Sequence, residues 1–295
     1  MSDTDNVKEF LASRRAKITP DKAGLPAYGG NRRVPGLRRE EVALLAGVSV
    51  DYYNRLERGN LQGVSESVLD SVAKALQLDE AEYAHLFDLA RAANLSPAKR
   101  RRTSPAKVRP SVQRLLDAMT DAPAWVRNDR HDFLAANRLG YALYSDMFTD
   151  PVRPANNARF VFLNERSKNF FPDWERAADD IVAMLRSEAG SNPYDRDLSD
   201  LIGELSTRSE TFRVRWAAHN VRFHRTGIKH LHHPVVGDLE LSYEAMELSS
   251  DPGLTFLAYT AEPHTPSADG LRLLASWAAT LEISDAAASV VVPKE

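Results

Sequence analysis

The chain has 295 residues and a mass of 32.8 kDa, of which 43% are hydrophobic and 27% charged; this is a soluble globular balance with room for about two domains. It has no cysteine, which removes disulfides, thiol nucleophiles, iron–sulfur clusters and thiolate zinc sites. The net charge of -3 hides an asymmetry. Met1 to Pro110 carries 19 Lys+Arg against 14 Asp+Glu, and Ser111 to Glu295 carries 19 against 27, which suggests a nucleic-acid-binding part joined to an acidic one. No apolar run nears the roughly 20 residues of a membrane span, and the polar stretch Met1 to Phe10 is unlike a signal peptide. A cytoplasmic protein with no membrane partner is therefore expected.

Asn6 to Arg15 reads as a helix with Val7, Phe10 and Leu11 apolar. Arg38 to Leu45 reads as a short helix with Val42 and Leu45 inward and Arg39, Glu40 and Glu41 outward. Gly47 can take the left-handed turn that ends it, and Ser49 stands where an N-cap belongs. Val50 to Arg58 is a second helix with Tyr53 and Leu56 inward, closed by Gly59. Two short helices around a tight corner make a helix-turn-helix, and an α-helix fits the major groove of B-DNA, where its first residues reach base edges. Ser65 to Leu76 repeats Val68, Val72 and Leu76 on one face. Asp79 to Ala92 buries Tyr83, Leu86, Phe87 and Leu89. Ser96 to Pro110 follows with six basic residues, no acid and three prolines; it reads as an extended linker that can also touch phosphates.

The string LRREEVALLAGVSVDYYNRLERG, Leu37 to Gly59, closely resembles the Xre (lambda-repressor-like) helix-turn-helix family. The resemblance implies an all-α, five-helix DNA-binding domain over 1–95. That family usually carries Gln where this chain has Arg39. Ser49 caps the second helix and is counted with its groove face. Arg39, Val50, Asp51, Tyr52 and Arg55 project from that face, and an arginine can donate twice to guanine. Asp51 either accepts from a cytosine amino group or simply suits the helix dipole. Tyr52 meets phosphate or a thymine methyl, and Asn54 a phosphate or a local backbone group. Glu57 braces the module. Arg32, Arg33 and Arg38 suit the DNA backbone, which positions without specifying. One such module reads few base pairs, so a homodimer on a near-palindromic duplex is expected, with half-sites about 34 Å apart.

Beyond Ser111 the pattern is mixed. Val112 to Ala118 reads as a helix, Ala124 to Val126 and Phe133 to Ala136 as a hairpin, and Asn137 as the cap of a helix running to Met147. Trp174 to Glu188, Leu198 to Leu205 and Thr211 to Val221 read as helices, Leu239 to Tyr243 and Leu254 to Tyr259 as strands, and Gly270 to Ala279 as a last helix. This is an α+β pattern. The segments NNARFVFLNERSKNFFPDW, SETFRVRWAAHNV and KHLHHPVVGDLELSYEAMEL look like the ligand-binding domain of MmyB-type regulators. That resemblance implies a PAS-like domain over 111–285, after a linker at 96–110 and before a tail at 286–295. It also implies an elongated apolar pocket for a fatty-acid-like ligand.

Candidate ligand-binding residues are Arg159, Trp174, Trp216, His219 and Asn220. Arg159 can grip a carboxylate bidentately or form a structural ion pair. The two tryptophans line a pocket or fill a core. His219 donates to a head group or is structural. His219, His224, His230, His232 and His233 cluster in sequence, but no HExxH or similar spacing accompanies them, so no metal and no other cofactor is expected. The chain has no GxSxG elbow and no glycine-rich phosphate loop, so it does not read as an enzyme. The reading is a DNA-binding transcriptional regulator, with repression expected over activation, tuned by a small apolar ligand. The alternative is a constitutive DNA binder whose second domain only dimerises or binds a protein.

Overall fold

The computed structural model describes residues 3–25, 34–94, 107–218 and 226–290. They divide into two compact units. One takes 3–94 together with 182–218; the other takes 107–181 together with 226–290. The expected linker lies mostly outside the described residues. Its last residue, Pro110, opens a helix, as proline does at a position whose N–H would be unbonded anyway.

The first unit begins with α1 (Asp3–Lys17), α2 (Arg39–Ala46), α3 (Val50–Glu57), α4 (Glu66–Ala75) and α5 (Glu80–Asn94). Gly47 sits at φ 68°, ending α2 in the left-handed region. Two residues later Ser49 Oγ accepts the Tyr52 N–H at 3.1 Å and starts α3. These adjacent signals set the corner. Ser65 caps α4 in the same way, and Asp79 and Glu82 exchange side-chain-to-backbone bonds at the start of α5. Phe10, Leu11, Leu37, Val42, Tyr53, Leu56, Val72 and Leu86 form the core.

Two burial expectations are corrected. Leu45 is 37% exposed, because the small Ala43 and Ala46 take the inner face of α2. Tyr83 is 38% exposed and stacks on Phe87, their centroids 4.6 Å apart, so it covers the core edge and does not fill it.

The second unit opens with α6 (Pro110–Ala118) and the hairpin β1 (Ala124–Asn128) and β2 (Phe133–Ala136). Next come α7 (Arg138–Leu143), a 3-10 turn at Met147–Thr149, α8 (Asn157–Leu163) and α9 (Arg166–Phe170). The helix expected to reach Met147 ends at Leu143; α8 and α9 were not expected. Helix α10 (Trp174–Ser191) runs on from this unit into the first one, where α11 (Arg196–Arg208) and α12 (Glu210–Ala217) follow it. The second unit closes with β3 (Thr226–His233), β4 (Gly237–Glu247), β5 (Leu254–Thr260) and α13 (Pro266–Val290).

The five strands form an antiparallel sheet in the order β2-β1-β5-β4-β3. Ala124, Val126, Ala135, Leu254 and Phe256 pack against Val112 and Leu116 of α6. The alternate residues Trp125, Tyr259 and Tyr243 lie on the opposite face, where β1 and β5 pair Trp125 with Leu257. Asn137 ties α7 to β1. Its Oδ1 accepts from Gly140 and Ala124 at 2.7 and 3.0 Å, and its Nδ2 donates to two carbonyls. Gly140 permits this approach, since a Cβ there would stand 2.6 Å from the Ala124 carbonyl oxygen. Gly140→Ala is expected to destabilise this unit by about 1–3 kcal/mol, because backbone must move to admit the methyl. Thermal melting checks it.

Candidate DNA-binding face and sensor groove

The first turn of α3 faces solvent. Val50 is 44% exposed, Asp51 and Arg55 are exposed, and Tyr52 is half-buried with the Arg55 guanidinium 5.8 Å from its ring centroid. Tyr53 points the other way and is fully buried. The amphipathic pattern thus leaves Val50, Asp51, Tyr52 and Arg55 as an outward face, with Ser49 at its start as the cap. Asn54 is half-buried. Arg38 pairs loosely with Glu40 at 3.3 Å. Arg32 and Arg33 lie outside the described residues.

Arg39 is anchored. Its guanidinium is half exposed yet bonds Glu57 Oε1 at 2.9 Å. Glu57 is buried and also takes two hydrogen bonds from Arg15 of α1, at 2.8 and 2.9 Å. Arg15 in turn donates to the Leu37 carbonyl at 2.9 Å. Burial pushes the Glu57 carboxyl up, but the bonds from Arg15 and Arg39 outweigh it and hold the group below the usual carboxylate range. One carboxylate therefore joins α1, α2 and α3. The sequence suggested bracing by Glu57 but gave no partner, because Arg15 lies 42 residues away.

In the second unit a groove of about 700 Å³ opens between α9 and the β3–β4 hairpin. Phe170, Pro172 and Pro234 give it apolar surface, and Asp146, Arg166, Lys168, His232 and Asp238 give it charge. Arg166 donates to Asp146 at 3.0 Å. His232 Nδ1 lies 2.6 Å from Asp238 Oδ1 and donates to it. Phe170 also packs on Tyr144, and Trp125 stacks on Phe133 and meets Tyr144 and Tyr259 edge-on. The Tyr144 and Tyr259 hydroxyls lie 3.2 Å apart, and burial pushes the Tyr144 phenol up to about 12. The buried Trp125 indole N–H has no acceptor among the described residues.

Residues 108–274 match the family model for the MmyB-like transcription regulator ligand binding domain, more than half of the chain. The chain belongs to the MmyB-like transcription regulators. Residues 10–86 of the regulator match a helix-turn-helix domain model, which covers α2 and α3. It is therefore a DNA-binding transcriptional regulator with a ligand-binding domain, and both matches are to families that bind rather than catalyse. No curated protein matches it. Among the described residues no helix is long and apolar enough to cross a membrane.

Of the expected ligand residues of this MmyB-like regulator, Arg159 and Trp174 lie in the second unit. Arg159 is half-buried beside a small recess of about 10 Å³, room for at most one water. The Trp174 indole donates to the Val161 carbonyl and Ser167 Oγ at 3.1 and 3.2 Å, so its polar edge is bonded internally. Trp216 lies in the first unit, stacked on Phe212 and beneath the Arg186 guanidinium. His219 and Asn220 lie outside the described residues, as does His224. His230 and His232 pair across the hairpin with Glu240 and Asp238. His233 is buried: its Nε2–H donates to the Ala142 carbonyl at 3.0 Å and its Nδ1 accepts from Val235. Burial lowers its pKa, so it stays neutral. Among the described residues no three of His, Asp and Glu are placed to hold a metal. The groove residues Arg166, Lys168, His232 and Asp238 were in the segments that carried the resemblance, but nothing in their spacing singled them out.

Proposed function

We propose that this regulator is a homodimeric repressor that grips a near-palindromic duplex with two copies of α3 and releases it when a fatty-acid-like ligand occupies the second unit. The observation that carries the reading is the exposed face of α3, with Val50, Asp51, Tyr52 and Arg55 outward, in a chain that also holds a ligand-binding domain. The sheet order β2-β1-β5-β4-β3, with helices inserted between β2 and β3, supports a PAS-like architecture for that domain. The groove supports an acid with an apolar chain. Arg166 and Lys168 suit a carboxylate, and Phe170, Pro172 and Pro234 suit methylenes. A ligand shifts DNA affinity only by binding one state of the protein better than the other.

Duplexes selected from a random pool supply the DNA, and sedimentation counts protomers. The reading expects two protomers per duplex and weaker binding when palmitate is added. An affinity that palmitate leaves unchanged would favour the constitutive alternative, and one protomer per duplex would overturn the dimer. In the groove, Arg166→Ala with Lys168→Ala is expected to weaken palmitate binding about tenfold, the scale of a charge-assisted hydrogen bond. The corresponding long-chain alcohol, lacking the carboxylate, should bind both proteins alike in calorimetry.

A further inference from the structure

Trp125 of β1 is 2% exposed, and its indole N–H is closed off from solvent without an acceptor among the described residues. A buried donor left unpaired forfeits the bond it made to water in the unfolded chain. The rings around it do not replace that bond. Trp125 stacks on Phe133 with centroids 5.2 Å apart and meets Tyr144 and Tyr259 edge-on at 5.2 and 4.6 Å. The Tyr144 and Tyr259 hydroxyls lie 3.2 Å apart, and neither has another partner among the described residues. One phenol donates to the other, so the accepting phenol keeps a hydrogen with no acceptor. Burial pushes both phenols up, Tyr144 to about 12, so both stay protonated at neutral pH. Two donors, one N–H and one O–H, are therefore unspent in the same aromatic cluster.

That surplus selects an occupant by its chemistry. Two unspent donors match an oxygen that accepts without bringing a hydrogen of its own, and a neutral carbonyl is such a group. A carboxylate would bury a charge among rings, and the cations that suit it, Arg166 and Lys168, line the groove. An alcohol or a water would add hydrogens where hydrogens are already in excess. The groove gives the way in. Phe170 lines it, yet is 1% exposed and packs on Tyr144 with centroids 5.3 Å apart. Its helix α9 has only five residues. Phe170, at the end of a short helix, thus stands between the groove and Tyr144.

We propose that the ligand of the second unit carries a neutral carbonyl, a ketone, ester or lactone, and that Phe170 turns aside to let the Trp125 N–H and the unspent phenol O–H donate to its oxygen. The inference rests on the proposed apolar-chained ligand and names a group that the chain bears. A carboxylate at Arg166 and Lys168 is compatible with it, since the two groups occupy different places.

The test is NMR of the isotope-labelled full chain, read at the Trp125 indole N–H, with methyl heptyl ketone as the probe. The comparison compound is its methylene analogue, in which CH2 replaces the carbonyl oxygen. The ketone is expected to move the indole resonance downfield, as a newly bonded donor does, and to bind about tenfold more tightly than the analogue. Trp125→Phe, which also assigns the resonance among the four tryptophans, should remove most of that preference. A ketone that does not bind, or binds without moving the indole resonance, would overturn the inference. So would equal affinity for the two probes, a preference that survives Trp125→Phe, or a water that stays in contact with the indole N–H while the ketone is bound. Should Trp125→Phe not fold, the wild-type resonance and the affinity ratio decide alone. Palmitate is titrated in parallel with the DNA assay. Palmitate that acts on DNA, beside a ketone that is not preferred, sinks this inference alone; a preferred ketone beside inert palmitate sinks the fatty-acid reading alone.

Discussion

Replacing Glu57 by Gln is expected to destabilise the DNA-binding unit by about 2–3 kcal/mol at neutral pH, below the full range for a one-sided loss of a buried pair because Arg39 is half exposed. The side chain is 1% exposed and accepts from arginines on two other helices. Its removal leaves Arg15 next to a neutral amide in a site that is mostly closed to water. The effect should also depend on pH. Hydrogen bonds from Arg15 and Arg39 hold the folded-state pKa below the ordinary value of 4.5. A depressed carboxyl contributes stability that is fully present above about pH 4.5 and is lost as pH falls through the lower folded-state value. The gap between wild type and Glu57→Gln should therefore be widest near pH 7 and shrink in acid. Urea unfolding at pH 7 and pH 3 checks this. A gap that does not change with pH would mean that Glu57 contributes by shape and not by charge.

The same residue shows what could be read in the sequence and what could not. The α2–α3 corner was legible because its causes lie within a few positions: a left-handed Gly47, then the Ser49 cap, then Tyr53 and Leu56 on one face. The bonds of Glu57 to Arg15 and Arg39 close over 42 and 18 residues, and no local pattern specifies such closures. Helices α8 and α9 have seven and five residues, two turns or less, too short for a 3.6-residue period to show. The burial of α10 was legible as an amphipathic stripe of Ala177, Ile181, Met184 and Leu185, of which all but the half-buried Met184 are buried. Which neighbours that stripe would meet was not, since an apolar face declares only that it needs a partner. For that reason Trp216, grouped with Arg159 from the sequence, folds into a different unit. The groove suffered similarly: its charges come from three segments, the last more than sixty residues beyond the other two, and only the fold brings them together.

Arg55→Ala should weaken binding to a selected duplex by about 1–3 kcal/mol, roughly 5- to 150-fold, and relax the base preference at one position. The geometry favours a base-reading role. Arg55 is exposed, in the last turn of α3, on the face that carries Asp51 and Tyr52. Among the described residues no ion pair competes for it in the manner that Glu57 competes for Arg39; its guanidinium lies 5.8 Å from the Tyr52 ring centroid. A cation over a half-buried ring is steadied without being neutralised, so its planar fork stays available for the paired acceptors of guanine. Arg39 is the contrasting case. With one edge of its guanidinium held by Glu57, it suits a phosphate better than a base, and Arg39→Ala should weaken binding evenly across sequences. Arg55→Lys separates charge from geometry. A lysine keeps the attraction to phosphate but not the bidentate fork, so it should retain binding to random duplex while losing preference for the selected one. If Arg55→Lys and wild type discriminate equally, or if Arg55→Ala loses the same factor on random duplex, Arg55 is a phosphate anchor and the base reading passes to Val50, Asp51 and Tyr52.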